Sequence, residues 1–236
     1  MKIIIVGATS GIGRELAQQY YQLGYTVSVT GRRLELLQEL QQQFAGIHIS
    51  CFDVQSDKVV EEIQLLIRNM GGLNLLIYCA GYGEPANDLI PEVEIDSTAT
   101  NVMGFVRTAA FAFNYFREQG HGQLAVISSL AALRGNSHTP AYSASKAYVS
   151  NYAEGLNIKA QKLHVDIVVT DIRPGFVKTN MAKGHGQFWV APVEKAARQI
   201  RTAIAAKKRV AYITKRWWLI ALIMKKLPFG IYRRIG

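Results

Sequence analysis

Short apolar runs alternate with longer stretches of helical period along this chain. Ile3–Val6, Thr26–Thr30, Ile47–Phe52, Leu75–Cys79, Leu124–Ser128, Val165–Ile172 and Arg209–Ile213 are the short runs. Segments this brief, apolar on both faces, suit strands buried between two layers of helix. Between them the hydrophobic period lengthens in Gly11–Leu23, Leu34–Phe44, Lys58–Met70, Thr98–Phe116 and Ala141–Lys162, which predicts helices. Residues 176–191 break the rhythm and predict a long loop. Pro192 then opens a helix to about Ala206, with proline in the first turn where it is tolerated. Strands and helices in alternation predict an α/β fold with a doubly wound, mainly parallel sheet of about seven strands flanked by helices. No repeat, low-complexity block or linker divides the 236 residues, so one domain over 1–236 is expected.

Composition changes this picture at one end only. A hydrophobic fraction of 49% against 19% charged excludes a disordered chain. Cys51 and Cys79 lie in apolar runs without metal-site or redox spacing, so two buried, reduced thiols and no metal are expected, in keeping with a cytoplasmic protein. Residues 2–6 are too short for a signal core, and the apolar run Trp217–Met224 is far below the ~20 residues of a spanning helix. The net charge of +10 is concentrated late in the chain: Lys195 to Gly236 holds twelve lysines and arginines and no acid. The basic character therefore belongs to the tail rather than to the fold.

The first predicted strand runs directly into Gly7-Ala8-Thr9-Ser10-Gly11-Ile12-Gly13. Glycines permit a tight turn and let backbone amides approach a phosphate, while the helix that follows presents its positive end to the anion. The spacing Gly-x3-Gly-x-Gly lacks the Lys and Ser/Thr of a nucleoside-triphosphate loop, which argues against a kinase or ATPase. After the second strand stand Gly31-Arg32-Arg33, where an acid would bind the ribose hydroxyl of NAD. Arg32, and less directly Arg33, instead favour the extra phosphate of NADP(H).

Tyr142 and Lys146 are four residues apart in a predicted helix and share a face. A free tyrosine titrates near pH 10, and a lysine cation beside it favours the phenolate, bringing the phenol closer to acid–base work. Ser129, thirteen residues upstream at a strand end, can bond a substrate oxygen. Together with Asp53-Val54, Ala80-Gly81, Asn101-Val102, Pro174-Gly175 and Thr179, in this order, the chain resembles the short-chain dehydrogenase/reductase family from Lys2 to about Ile213.

The resemblance implies a Rossmann-like fold and an oxidoreductase moving hydride between NADP(H), preferred over NAD(H), and a carbonyl or alcohol carbon. It implies that Tyr142 transfers the proton and Ser129 orients the carbonyl. Lys146 would tune the tyrosine and bind the nicotinamide ribose. Asn101 would kink its helix and hold a water on a proton path from Lys146. Gly7, Thr9, Ser10, Gly11, Ile12 and Gly13 would surround the pyrophosphate, and Asp53 and Val54 the adenine. Ala80 and Gly81 would line the cleft. Pro174, Gly175 and Val177 would border the nicotinamide, with Thr179 on its carboxamide or the adjacent phosphate. One departure is Cys79, where the family often has Asn, which leaves in doubt the bracing of the sheet rather than the chemistry. The family also implies a homodimer or homotetramer.

Phe176, Met181, Phe188 and Trp189 in the long loop point to a hydrophobic or lipid-like substrate, although ordinary core packing accounts for them equally well; His185 reads as exposed. In the tail, Lys215-Arg216 precede Trp217-Trp218 and an apolar run, followed by Lys225-Lys226 and Arg233-Arg234. Peripheral membrane contact and a helix buried between subunits are both compatible with that pattern. Nucleic acid is not an expected partner, because no binding motif accompanies the basic residues. The alternative from another class is a non-catalytic NADP-binding sensor, against which the intact Ser129, Tyr142 and Lys146 argue.

Overall fold

The computed structural model describes residues 1–181 and 187–234. Seven strands form one parallel sheet in the order β3-β2-β1-β4-β5-β6-β7. They are β1 (Lys2–Val6), β2 (Thr26–Gly31), β3 (His48–Cys51), β4 (Leu75–Tyr78), β5 (His121–Ile127), β6 (Asp166–Pro174) and β7 (Val210–Ile213). The Rossmann-like, doubly wound architecture expected from the alternation is present. The direction of winding reverses between β1 and β4, which is where such sheets open a ligand crevice at their carboxyl ends.

Both faces of the sheet are covered, which is why its strands are apolar throughout. Ile3 and Ile5 turn to one side, against α1 (Gly11–Gln22), α2 (Leu34–Gln43) and α7 (Val193–Ala205). Ile4 and Val6 turn to the other, against α3 (Val59–Met70), α5 (Phe105–Gln119) and α6 (Pro140–Lys162). Ile3, Ile4 and Ile5 are all fully buried, so this one strand contributes to both cores. Burying each such side chain stabilises by about 1.5–3 kcal/mol.

Three expectations need correction. The helix read as 98–116 is three pieces: α4 (Pro91–Thr98), a π-helical turn over Ala99–Gly104, and α5. Its first piece buries only Ser97, so it has no apolar stripe to reveal it, although Pro91 and two early glutamates mark its start. Cys51 is exposed, because β3 is the edge strand and Cys51 its last residue; Cys79 is half-buried. Pro192 is the residue before α7 and not its first turn, with ψ of 143°. The residues after β7 are ordered helices, α8 (Trp217–Lys226) and α9 (Phe229–Tyr232), the first packed on a 3-10 turn over Leu130–Leu133. His185 and the glycines beside it lie outside the described residues.

Candidate active site

The glycine turn is shaped by its neighbours. Gly7 has φ of +87°, and a Cβ there would stand 2.5 Å from the Ala80 nitrogen. A Cβ on Gly13 would stand 2.2 Å from the Gly7 carbonyl oxygen, so α1 can approach the turn only with glycine at that position. The Ser10 side chain makes no capping hydrogen bond to α1, which leaves the first-turn amides of that helix open to an anion. These are the features of a phosphate cradle, and they fit a dinucleotide.

The two arginines divide their contacts. Arg33 lies over the turn: its Nη2 donates to Thr9 Oγ1 at 2.5 Å and Ser10 Oγ at 2.9 Å. Arg32 reaches across to Asp53 Oδ2 at 3.3 Å. The sequence favoured Arg32 as the phosphate partner; in the structure Arg33 stands over the glycine turn and Arg32 is paired with the carboxylate assigned to the adenine side. Asp53 also accepts from the Gln55 amide at 2.9 Å. Of the apolar residues expected around a dinucleotide, Val54 and Val177 turn into the core, and Ile12 packs on it. Thr179 meets the turn from the opposite side, its Cγ2 3.2 Å from where a Gly11 Cβ would be.

At the carboxyl ends of β4 and β5 four polar side chains converge. Lys146, on α6, is buried and donates to the Ile127 carbonyl at 2.9 Å, with its Nζ 5.6 Å from the centre of the Tyr142 ring. Ser129 Oγ accepts from the Ala131 amide at 3.1 Å, starting the 3-10 turn, and hydrogen-bonds with Tyr142. Asn101 sits within the π turn. Its Nδ2 donates to the Tyr82 carbonyl at 2.8 Å and to Ser145 Oγ at 2.9 Å, while its Oδ1 accepts from the Tyr82 amide at 2.8 Å. A Cβ on Gly81 would lie 3.3 Å from Lys146 Nζ and 3.4 Å from Asn101 Oδ1, so that glycine lets both come together.

The electrostatics follow from burial. Desolvation pulls the Lys146 ammonium down to about 8, against opposing influences from Cys79 and Asp171. Desolvation also pushes the Tyr142 phenol above its ordinary value, and the hydrogen bond with Ser129 offsets part of that rise. The expected lowering of the phenol is thus reversed in sign, because taking a phenolate out of water outweighs its partners. Burial raises the Cys79 thiol to about 12, so it stays protonated at neutral pH.

Two contributors escaped the sequence. Gly83 lies under the Tyr142 ring, where a Cβ would come 2.4 Å from Cδ2; its only signal was a second glycine after Ala80-Gly81. Trp217, grouped with the tail, is only 3% exposed and packs on Gly175, where a Cβ would fall 2.1 Å from Cε2. Its ring meets Phe176, Phe188 and Trp189 at centroid distances of 5.7, 5.0 and 5.7 Å. Phe176, Phe188, Trp189 and Trp217 therefore form one cluster that packs on Gly175. Where the 3-10 turn meets α6, an open cavity of about 400 Å³ is walled by Leu133, Arg134, Asn136, Pro140, Ser143 and Ala144, and neither Tyr142 nor Ser129 lines it.

Known proteins share both the sequence pattern and this architecture. Residues 1–188 match the family described as short chain dehydrogenase. An uncharacterized oxidoreductase of Myxococcus xanthus is 36% identical over 185 residues, covering 75% of this chain and 72% of that protein. The NADP-dependent 3-hydroxy acid dehydrogenase YdfG of Shigella flexneri is 30% identical, covering 75% and 73%. Among solved structures, a short-chain dehydrogenase from Streptomyces avermitilis superposes with a TM-score of 0.83 at 23% identity, over 99% of this chain and 93% of that one. ElxO with NADP bound gives 0.81 at 20% identity, over 92% and 98%.

Proposed function

The chain belongs to the short chain dehydrogenase family of oxidoreductases, and from that premise we propose that it is an NADP(H)-dependent reductase of a hydrophobic carbonyl compound. The observation that carries this reading is the meeting of Ser129, Tyr142, Lys146 and Asn101 beside Gly81, at the carboxyl edge of the sheet. A cofactor binder without chemistry has a use for Lys146 at the ribose but none for the Ser129 hydroxyl beside the Tyr142 phenol.

In this reading the glycine turn from Gly7 to Gly13, with Thr9, Ser10 and Ile12, holds the pyrophosphate, and Arg33 and Arg32 hold the NADP phosphate. Asp53 and Val54 border the adenine, while Ala80, Gly81, Pro174, Gly175, Val177 and Thr179 line the nicotinamide side. Tyr142 and Lys146 bind its ribose. When bound, the nicotinamide supplies the hydride. Ser129 donates to the substrate oxygen and fixes it beside the Tyr142 hydroxyl. That phenol, kept protonated by burial, gives up its proton as negative charge develops on the oxygen. The Lys146 cation then stabilises the phenolate left behind. Asn101 holds the Tyr82 backbone and Ser145, and so the geometry around the pair. The preference for NADP(H) is supported by the absence of an acid at the end of β2, and by the NADP-dependent relative. The aromatic cluster behind Gly175 supports a hydrophobic substrate.

The test is NADPH and NADH oxidation, followed at the nicotinamide absorbance, against ketones and aldehydes of graded chain length. Turnover with NADPH that increases with apolar chain length is expected. Tight NADPH binding with no turnover on any class would favour the sensor instead.

Arg33→Ser is expected to weaken NADPH binding about tenfold or more, the value of a charge-assisted contact, and to leave NADH nearly unaffected. An equal loss for both cofactors in fluorescence titration would remove Arg33 from phosphate recognition. The pH dependence has a definite sign. Lys146 is protonated below about pH 8 and neutral above it. The kcat/KM for reduction should therefore be level below that point and fall about tenfold per unit beyond it. A profile level to the alkaline limit of stability would show that Lys146 does not titrate there.

A further inference from the structure

The helix α8 is apolar around its whole circumference, yet only one side of it is covered. Trp217 and Ala221 are buried against Leu130 and neighbouring aromatic residues. Trp218, Leu219, Leu222 and Ile223 point the other way, with Trp218 50% and Ile223 57% exposed. On the following turn Phe229 is 73% exposed. This exposure is imposed by the fold. Arg134 donates to the carbonyls of Met224 and Leu227 at 3.2 and 2.8 Å, closing the end of α8. Tyr232 donates to the Gly135 carbonyl at 2.7 Å, and the Arg134 guanidinium lies 4.4 Å from the centre of its ring. The inner side of the tail is thus held to the body, and its outer apolar side chains have no internal site left to fill.

Charge identifies what covers them. Lys215 and Arg216 precede α8, Lys225 and Lys226 end it, and Arg233 and Arg234 follow α9; all are exposed, and no acid occurs anywhere from Lys195 onward. Lys215 and Arg216 stand at the positive end of the helix, where an anion nearby is favoured. Two copies of the face brought together would oppose cation to cation. At ten residues α8 is about 15 Å long, half the hydrocarbon thickness of a bilayer, and no described helix is long and apolar enough to cross one. A short helix with an apolar outer face, a tryptophan at its start and cations at both ends suits the plane between headgroups and acyl chains. We propose that the outer face of α8, with Phe229 and the flanking lysines and arginines, docks on an anionic lipid bilayer. The surface continues toward the candidate site: Arg216 donates to the Trp189 carbonyl at 3.1 Å, and Trp189 and Phe188 are themselves partly exposed. Docking would therefore set the substrate side of the cleft against the lipid.

The experiment uses the full chain and sedimentation with vesicles of phosphatidylcholine alone or mixed with phosphatidylglycerol. Wild type is expected to pellet with the anionic vesicles and stay in solution with the neutral ones. Changing Trp218, Leu222 and Ile223 together to serine should abolish binding. Lys225→Gln with Lys226→Gln should weaken it about fivefold for each cation removed. These side chains lie outside the candidate active site, so reduction of a water-soluble carbonyl and the circular dichroism spectrum should be unchanged. Binding that ignores lipid charge, or no binding to either vesicle, would overturn the proposal. So would a dimeric wild type that the serine variant turns into a monomer without any lipid binding, since the face would then join two copies of the chain. Vesicle binding is read without cofactor or substrate, so its failure would leave the reductase reading intact.

Discussion

Tyr142→Phe is expected to lower carbonyl reduction by about 10²–10⁴-fold, the usual contribution of a positioned proton donor, while NADPH still binds. The substitution is unusually clean here. The ring is seated on Gly83 and keeps that contact, because only the hydroxyl is lost. Lys146 keeps its bond to the Ile127 carbonyl, so its place does not depend on the phenol. What disappears is the proton and the hydrogen bond with Ser129. Steady-state rates beside a fluorescence titration of NADPH separate chemistry from binding. Activity within tenfold of wild type would mean that another group supplies the proton. Gly83→Ala addresses the same ring differently: its Cβ would displace Tyr142 without removing the hydroxyl.

Asp171→Ala should cost about 3–5 kcal/mol of folding stability, the loss that follows when one member of a buried ion pair is removed. The Asp171 side chain is 3% exposed and its partner Arg173 14%. One carboxylate oxygen accepts a short hydrogen bond from Ser128 Oγ. The other accepts from Ser150 Oγ at 2.8 Å and Arg173 Nε at 2.7 Å. Truncation would strand the Ser150 hydroxyl and Arg173 Nε in a site with little access to water, while Ser128 Oγ keeps the Ile172 carbonyl at 2.9 Å; the loss is large beside a typical total of about 5–15 kcal/mol. The network also ties β6 to α6 and to the end of β5. Ser128 stands between Ile127, whose carbonyl holds Lys146, and Ser129. A fall in activity at temperatures where the variant remains folded would report that link. Urea denaturation is the measurement, and a loss below about 1 kcal/mol would show that the pair with Arg173 contributes little.

What could be read from the chain follows from how its residues are buried. The strands were legible because a parallel sheet covered on both faces demands unbroken apolar runs such as Ile3–Val6. The glycine turn and the Tyr142, Lys146 spacing were legible because each depends on neighbours in sequence. The structure assembles the proposed set of Ser129, Tyr142, Lys146 and Asn101 as one group, while the roles of those residues await the experiments above. Helix α4 was hidden because it buries almost nothing apolar, and its single buried side chain is a serine. The separation of the Arg32 and Arg33 side chains was hidden too, because Asp53 and Thr9, which draw them apart, lie on different connections of the sheet. Trp217 and Trp218 are adjacent and alike in sequence, yet one is buried and the other half exposed. Only the direction of the helix that carries them decides which is which.

The contact of Trp217 with Gly175 also sets an order of assembly in time. Translation delivers the glycine turn, the cluster of polar side chains and β6 well before the indole that rests on Gly175. A nascent chain halted ahead of Trp217 would hold every residue proposed to take part in the chemistry and still lack the wall behind Pro174-Gly175. The wall behind Gly175 is therefore completed only after α8 has been synthesised, later than the residues whose side chains would do the work.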